Sequence, residues 1–264
     1  MLRSLSPLVA VVAGLRPGFS ASTLAAVTAT APQSDDRIIS VGGIDFGTKA
    51  VHAVFLSGTG DGRPRVERVH LAIGDSGLDR LEELCAGVSH VGIDAPDRQT
   101  AGCPLPGVRP ARCAEVALAA THHGRHERMA GGPVSMLTPS AGSPFPARLA
   151  WMKAGFKLWD RLRSHYGSVE FFETYPSGSF TRLASQARPS VRLKPRGTAL
   201  GISQRVGLLQ PLVERTSFIE MWGLDGVDAL AAAVAAYRVA SGHGFVIAEH
   251  GHEASDGSRI ILIG

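Results

Sequence analysis

The sequence predicts an α/β fold built on a mixed sheet, and three observations predict it. Apolar, β-rich runs joined by Gly-containing turns open the regular part of the chain, as antiparallel strands do. Further along, apolar runs alternate with segments of helical spacing, which indicates parallel strands with crossover helices. With 44% hydrophobic and 19% charged residues among 264, the chain also has enough apolar material for a sizeable core. The same composition excludes collagen-like, coiled-coil and disulfide-scaffold classes. Three cysteines, Cys85, Cys103 and Cys113, form no CxxC pair. An odd count in a chain of this length reads as reduced thiols of an intracellular, cytoplasmic protein.

Residues 1–36 differ from the rest: two arginines, no acid until Asp35, and many Ala, Ser, Thr and Val. The apolar run Pro7–Leu15 is too short for a bilayer, which needs about 20 residues. This stretch is expected to be a disordered extension or a targeting segment, leaving 37–264 as one domain with no membrane partner. Ile38–Ile44 and Ala50–Leu56 are expected to form a hairpin through Asp45 and Gly47, with a third strand over Val66–Ala72 after Gly60-Asp61-Gly62. Leu78–Cys85 has helical spacing, and Val88–Ile93 is a continuous apolar strand ending at Asp94. Residues 97–145 are rich in Pro, Gly, His and Arg, with one helix expected over 112–122. A helix over Pro146–Tyr166, a fifth strand over Val169–Phe172, a basic loop over 188–196 and a helix over Ser203–Glu214 follow. The last element is an Ala-rich helix, Val227–Ala240, opened by Asp225 and Asp228, where first-turn acids suit the helix dipole.

Charge is distributed unevenly. The net charge is only +4, yet residues 98–205 contain sixteen Lys and Arg against five Asp and Glu, so the flanks together are acidic. A basic middle suggests an anionic partner. The acids are also distinctively placed: Asp45, Asp94 and Glu173 each follow an apolar strand, and Asp225 and Asp228 open a helix. In open α/β sheets, ligands collect outside the carboxyl ends of the strands. Carboxylates gathered there repel one another unless a cation lies among them, and oxygen ligands of this kind suit Mg²⁺ or Mn²⁺. Two such ions would support attack of water on a phosphodiester.

Several blocks carry a family resemblance. Gly43-Ile44-Asp45-Phe46, Val91-Gly92-Ile93-Asp94-Ala95-Pro96, Arg112-Cys113-Ala114-Glu115, Phe172-Glu173-Thr174-Tyr175-Pro176, Leu193-Lys194-Pro195, Arg205 with Leu208-Leu209, and Asp225–Ala236 resemble successive blocks of domain-of-unknown-function family 429. That family consists of predicted nucleases of RNase H-like fold, so the resemblance implies a mixed five-stranded sheet flanked by helices. Asp45, Asp94 and Asp225-Gly226-Val227-Asp228-Ala229 are also similar to the acids that Holliday-junction resolvases of the same superfamily carry on the first strand, the fourth strand and the last helix. The likeness implies Asp45, Asp94, Glu173 and Asp228 as catalytic residues and Asp45, Asp94, Asp225 and Asp228 as metal ligands. Arg98, Arg112, Lys194, Arg196 and Arg205, which flank the acidic blocks, are the candidates for phosphate contact. The expected partner is nucleic acid, and the expected assembly includes a homodimer.

Two other functions fit parts of the sequence. Ile44-Asp45-Phe46-Gly47-Thr48 resembles the first phosphate turn of sugar kinases and actin-like ATPases, although Leu224-Asp225-Gly226-Val227 makes a poor second turn. A non-catalytic nucleic-acid-binding domain is the third class, against which the retention of all four acids argues. His122, His123 and His126 with Glu127 have no partner cluster at zinc spacing. Ser177 and Ser179 lack a GxSxG elbow. Cys113 has nothing to activate it, and the spacing of Trp151, Phe156 and Trp159 suits a helix packed on the core.

Overall fold

In the computed structural model, residues 37–47, 50–60, 62–95, 150–187, 192–214, 223–246 and 260–263 are described. Three strands form an antiparallel meander: β1 (Ile38–Phe46), β2 (Val51–Thr59) and β3 (Arg65–Ala72). Helix α1 (Gly74–Ala86) leads to β4 (His90–Asp94), which pairs in parallel with β1. Helix α2 (Ala150–His165) precedes β5 (Glu170–Thr174), parallel to β4, and is followed by α3 (Pro176–Ala187), α4 (Ala199–Leu209) and α5 (Gly223–Ala240). Two short strands, β6 (Phe245–Val246) and β7 (Ile260–Leu262), complete a sheet of order β3-β2-β1-β4-β5-β7-β6.

The sheet is mixed, antiparallel first and parallel afterwards, and among the described residues it has seven strands where five were expected. The two added strands are two and three residues long, too short for any periodicity to register. Helix α3 was also not anticipated. It starts at Pro176, and proline suits a first helical position because the N–H it lacks would be unpaired there. Helix α4 begins four residues before its expected start, at a cap where the Thr198 hydroxyl accepts the Gly201 N–H at 3.0 Å. It ends at Leu209, ahead of the expected Glu214; Gln210 still has helical backbone, and Pro211 has no N–H with which to continue the ladder. The helix expected over 112–122 lies outside the described residues.

The sheet separates two apolar layers. One face carries Ile44, Ala53, Val91 and Ile93 against Leu81 and Cys85 of α1 and Leu158, Trp159 and Leu162 of α2. Cys85 is buried and its thiol is pushed up to about 12 by burial and the Glu82 charge, so it is a packing residue. The other face carries Val41, Val54, Leu56 and Phe172 against α3, α4 and α5.

Helix α5 is enclosed on all sides, with every residue from Gly226 to Tyr237 buried. Its alanines and two strand glycines allow this closeness. A Cβ on Gly43 would lie 2.1 Å from the Ala233 nitrogen and 2.3 Å from the Ala229 oxygen. One on Gly92 would lie 2.6 Å from the Ala232 oxygen. Backbone therefore rests on backbone where α5 crosses β1 and β4, and the first turn of α5 comes to the carboxyl ends of those strands.

Candidate metal centre

Strand register builds the site. Asp45 is paired with Asp94 across the parallel β1–β4 ladder and with His52 across the antiparallel β1–β2 ladder. Residues opposite one another share a face, so all three side chains project toward α5, which supplies Asp225 and Asp228. Ligand atoms of Asp45, Asp94 and Asp228 lie within 4.8 Å of one another. Asp45 belongs equally to a second group, with His52 and Asp225, of the same tightness. Asp45 and Asp228 are 7% and 1% exposed, whereas Asp94 is half-buried.

Burial and mutual repulsion both oppose ionisation here. The Asp45 carboxyl is held well above the usual range by burial first, then by the charges of Asp94, Asp228 and Asp225. Burial pushes Asp228 up to about 7, with the Arg196 guanidinium pulling the other way. Arg196 Nη2 donates to Asp228 Oδ2 at 2.5 Å, and the charges of Asp228, Asp94 and Asp45 together raise the Arg196 pKa against the cost of burial. A set of close carboxylates, two of them buried, with one guanidinium at its edge has the donor chemistry of a divalent-cation site.

The Arg196 loop is built for that placement. The Lys194 N–H donates to Gln204 Oε1 at 2.8 Å, and Arg205 Nη1 donates to the carbonyls of Gly201 at 2.9 Å and Lys194 at 3.3 Å. Thr198 ties back to the Pro195 carbonyl through both its N–H and its hydroxyl. Only glycine fits at 201, where a Cβ would meet the Pro195 oxygen at 2.1 Å.

The expected site residues thus divide. Asp45, Asp94 and Asp228 converge, and Asp225 joins Asp45 through the second group. Arg196 reaches the centre, and the Lys194 side chain is exposed on the same loop. Two placements differ from that grouping. Glu173 is in register with Ile93, one residue before Asp94, so its side chain projects from the opposite face, where it is 1% exposed. Among the described residues, neither ligand group includes it. Arg205 is 6% exposed and donates to two carbonyls of the loop and its helix. Arg98 and Arg112 lie outside the described residues, as do Cys103, Cys113, His122, His123 and His126.

His52 is the residue that sequence reading missed. Its signal was available in the hairpin: once Gly47 and Ala50 close the turn, with the Gly47 N–H on the Ala50 carbonyl at 3.1 Å, the pairing sets position 52 against 45. Trp159 is a core residue as its spacing suggests, fully buried, with its indole N–H on the Ala95 carbonyl at 3.1 Å just beyond Asp94. Ser179 is also buried, and its hydroxyl accepts the Ile263 N–H at 3.1 Å, so it serves the sheet edge and not nucleophilic chemistry. A 330 Å³ cleft lined by Arg63, Tyr237, Arg238 and His243 lies at the other end of α5 from the aspartates.

No curated protein matches the chain. Among solved structures, one of RuvC from Thermus thermophilus aligns with 78% of this chain and 98% of its own, at 10% identity and a TM-score of 0.36. T. thermophilus RuvC in complex with a Holliday junction substrate aligns with the same coverage and identity at a TM-score of 0.35. The sequence profile of a family described as "Protein of unknown function (DUF429)" matches residues 43–252, a span containing both ligand groups and the Arg196 loop. The chain belongs to that family.

Proposed function

We propose that this protein is a metal-dependent nuclease that hydrolyses phosphodiester bonds of nucleic acid, with Mg²⁺ or Mn²⁺ held by Asp45, Asp94 and Asp228. The observation that carries this reading is the convergence of three aspartates from three separate elements, two of them almost fully buried, within 4.8 Å. Structural acids are normally satisfied by donors; here the neighbours of Asp45 are other carboxylates. A divalent ion supplies charge stabilisation at the phosphoryl oxygen and an activated water.

The chain's own residues supply the rest. β1, β4 and α5 hold the carboxylates at fixed separation through backbone packing, so little reorganisation is needed when a cation arrives. Arg196, half-exposed at the rim, is placed to meet a phosphate oxygen, and Lys194 adds a second cation on the same loop. Nucleic acid is supported as the substrate class by the basic middle of the sequence and by the family resemblance.

The test is a cleavage panel of branched, single-stranded and hybrid nucleic acids with Mg²⁺ or Mn²⁺. Metal-dependent cleavage by the wild type, lost in Asp45→Asn and Asp228→Asn, is the expected result. Absence of cleavage together with saturable ATP binding would favour the kinase-like reading.

A further inference from the structure

Helix α5 carries the aspartates at its first turn and a cleft at its last. The cleft, of 330 Å³, is bordered by the β2–β3 turn, the final turns of α5 and the chain just after α4. We propose that it binds a small organic phosphomonoester, with the phosphate facing Arg63, Arg238 and His243 and the apolar body along Pro211 and Leu212. This site goes beyond the nuclease reading and does not depend on it.

Charge, construction and size carry it. Arg63 comes from the turn after β2, Arg238 from the last turn of α5 and His243 from the chain beyond, so basic side chains from two distant segments line one cleft. No Asp or Glu is among the described residues that line it; Asp61, in the same turn, lies outside them. Cations gathered in this way repel one another, and an anion among them removes that repulsion. Arg238 is half-buried, and its Nε is enclosed by protein with no hydrogen-bond partner among the described residues. The fold therefore gives that atom no acceptor of its own. The α5 carbonyls do not claim it either. The Ser241, Gly242 and His243 N–H groups donate to the Tyr237, Val239 and Arg238 carbonyls at 2.9, 3.0 and 2.7 Å, and Gly242 at φ +78° closes the helix. The walls are tied together as well. The Tyr237 hydroxyl donates to the Thr59 carbonyl, which joins the β2–β3 turn to α5, and the Glu214 N–H donates to the Pro64 carbonyl at 2.8 Å, which joins it to the chain after α4. Guanidinium groups match phosphate oxygens in bidentate pairs. A volume of 330 Å³ lies at the low end of the roughly 300–1,000 Å³ of small-ligand sites. Bare phosphate would leave the Pro211–Leu212 side empty, whereas an organic phosphate covers it.

The probes are adenosine 5′-monophosphate, adenosine and inorganic phosphate, each titrated by calorimetry into the full-length protein in EDTA, which keeps divalent ions out of the measurement. Saturable binding of the monophosphate is expected, tighter than that of adenosine or of phosphate. Arg63→Gln and Arg238→Gln should each weaken it by about 10-fold or more, the effect of losing a charged hydrogen bond. Asp45→Asn should bind it as the wild type does. Arg63 is exposed in a turn, so its variant decides the matter even where Arg238→Gln fails to fold. No binding of the monophosphate, equal binding of adenosine or of inorganic phosphate, or wild-type affinity in Arg63→Gln overturns the proposal. Loss of binding in Asp45→Asn would place the ligand at the aspartates and overturn it too. The metal centre stands or falls separately, on Mg²⁺ binding.

Discussion

Single residues decide which acids share a face of the sheet. Asp94 and Glu173 look equivalent in the sequence, each an acid at the end of an apolar strand. The ladder separates them, because Glu173 is opposite Ile93 and an odd step along a strand changes face. Glu173→Gln is therefore expected to retain divalent-ion affinity within a few-fold of wild type, while Asp94→Asn loses at least about 10-fold, as for other altered ligand shells. Calorimetric titration of both variants checks this, and equal losses would place Glu173 at the metal. No argument from composition could have separated the two. The alternation was legible in principle, but strand ends had to be known to within one residue.

At the scale of elements, α5 locates the site. Its Ala-rich sequence and opening acids were legible, as was the Gly-containing first strand. What the sequence did not disclose is that Gly43 and Gly92 form one feature with the alanines of α5, since contact between distant segments leaves no local pattern. Gly43→Ala places a methyl group against the backbone of Ala229 and Ala233, which cannot rotate away. The helix must shift, at a cost of about 1–3 kcal/mol or more. A lower melting temperature accompanied by weaker metal binding is expected, and unchanged values for both would mean that α5 does not set the carboxylate spacing. The Arg196 loop makes a similar point. Its basic composition suggested phosphate contacts throughout, yet Arg205 is used internally to hold the loop that presents Arg196.

Across the whole molecule, the basic middle is partly absorbed by the fold. Arg161 pairs with Asp79 and Glu82, Arg163 lies over the Trp159 ring and Arg182 over that of Phe245. A charge count cannot distinguish such cations from those that face a ligand. The balance of charge at the centre also sets how stability varies with pH. Burial raises Asp45 and Asp228 in the folded protein, Asp228 to about 7 against an ordinary 3.8. A raised carboxyl pKa means that the folded state binds more protons than the unfolded one between those values, so the contribution is fully present below about pH 4 and is lost as pH rises through 7. These two groups therefore make the metal-free melting temperature fall between about pH 4 and 7. Asp228→Asn should flatten that fall, and saturating Mg²⁺ should offset it, because ion binding needs the deprotonated carboxylates. A wild-type slope of the opposite sign, with Asp228→Asn unchanged from it, would show that the two groups are not strained in this way.

Titration calorimetry of Mg²⁺ into wild type and Asp45→Asn at pH 8 decides whether Asp45, Asp94 and Asp228 form a divalent-cation site. Saturable binding in the wild type and a loss of at least about 10-fold in the variant are expected. Equal binding by the two proteins, or none by the wild type, would contradict it.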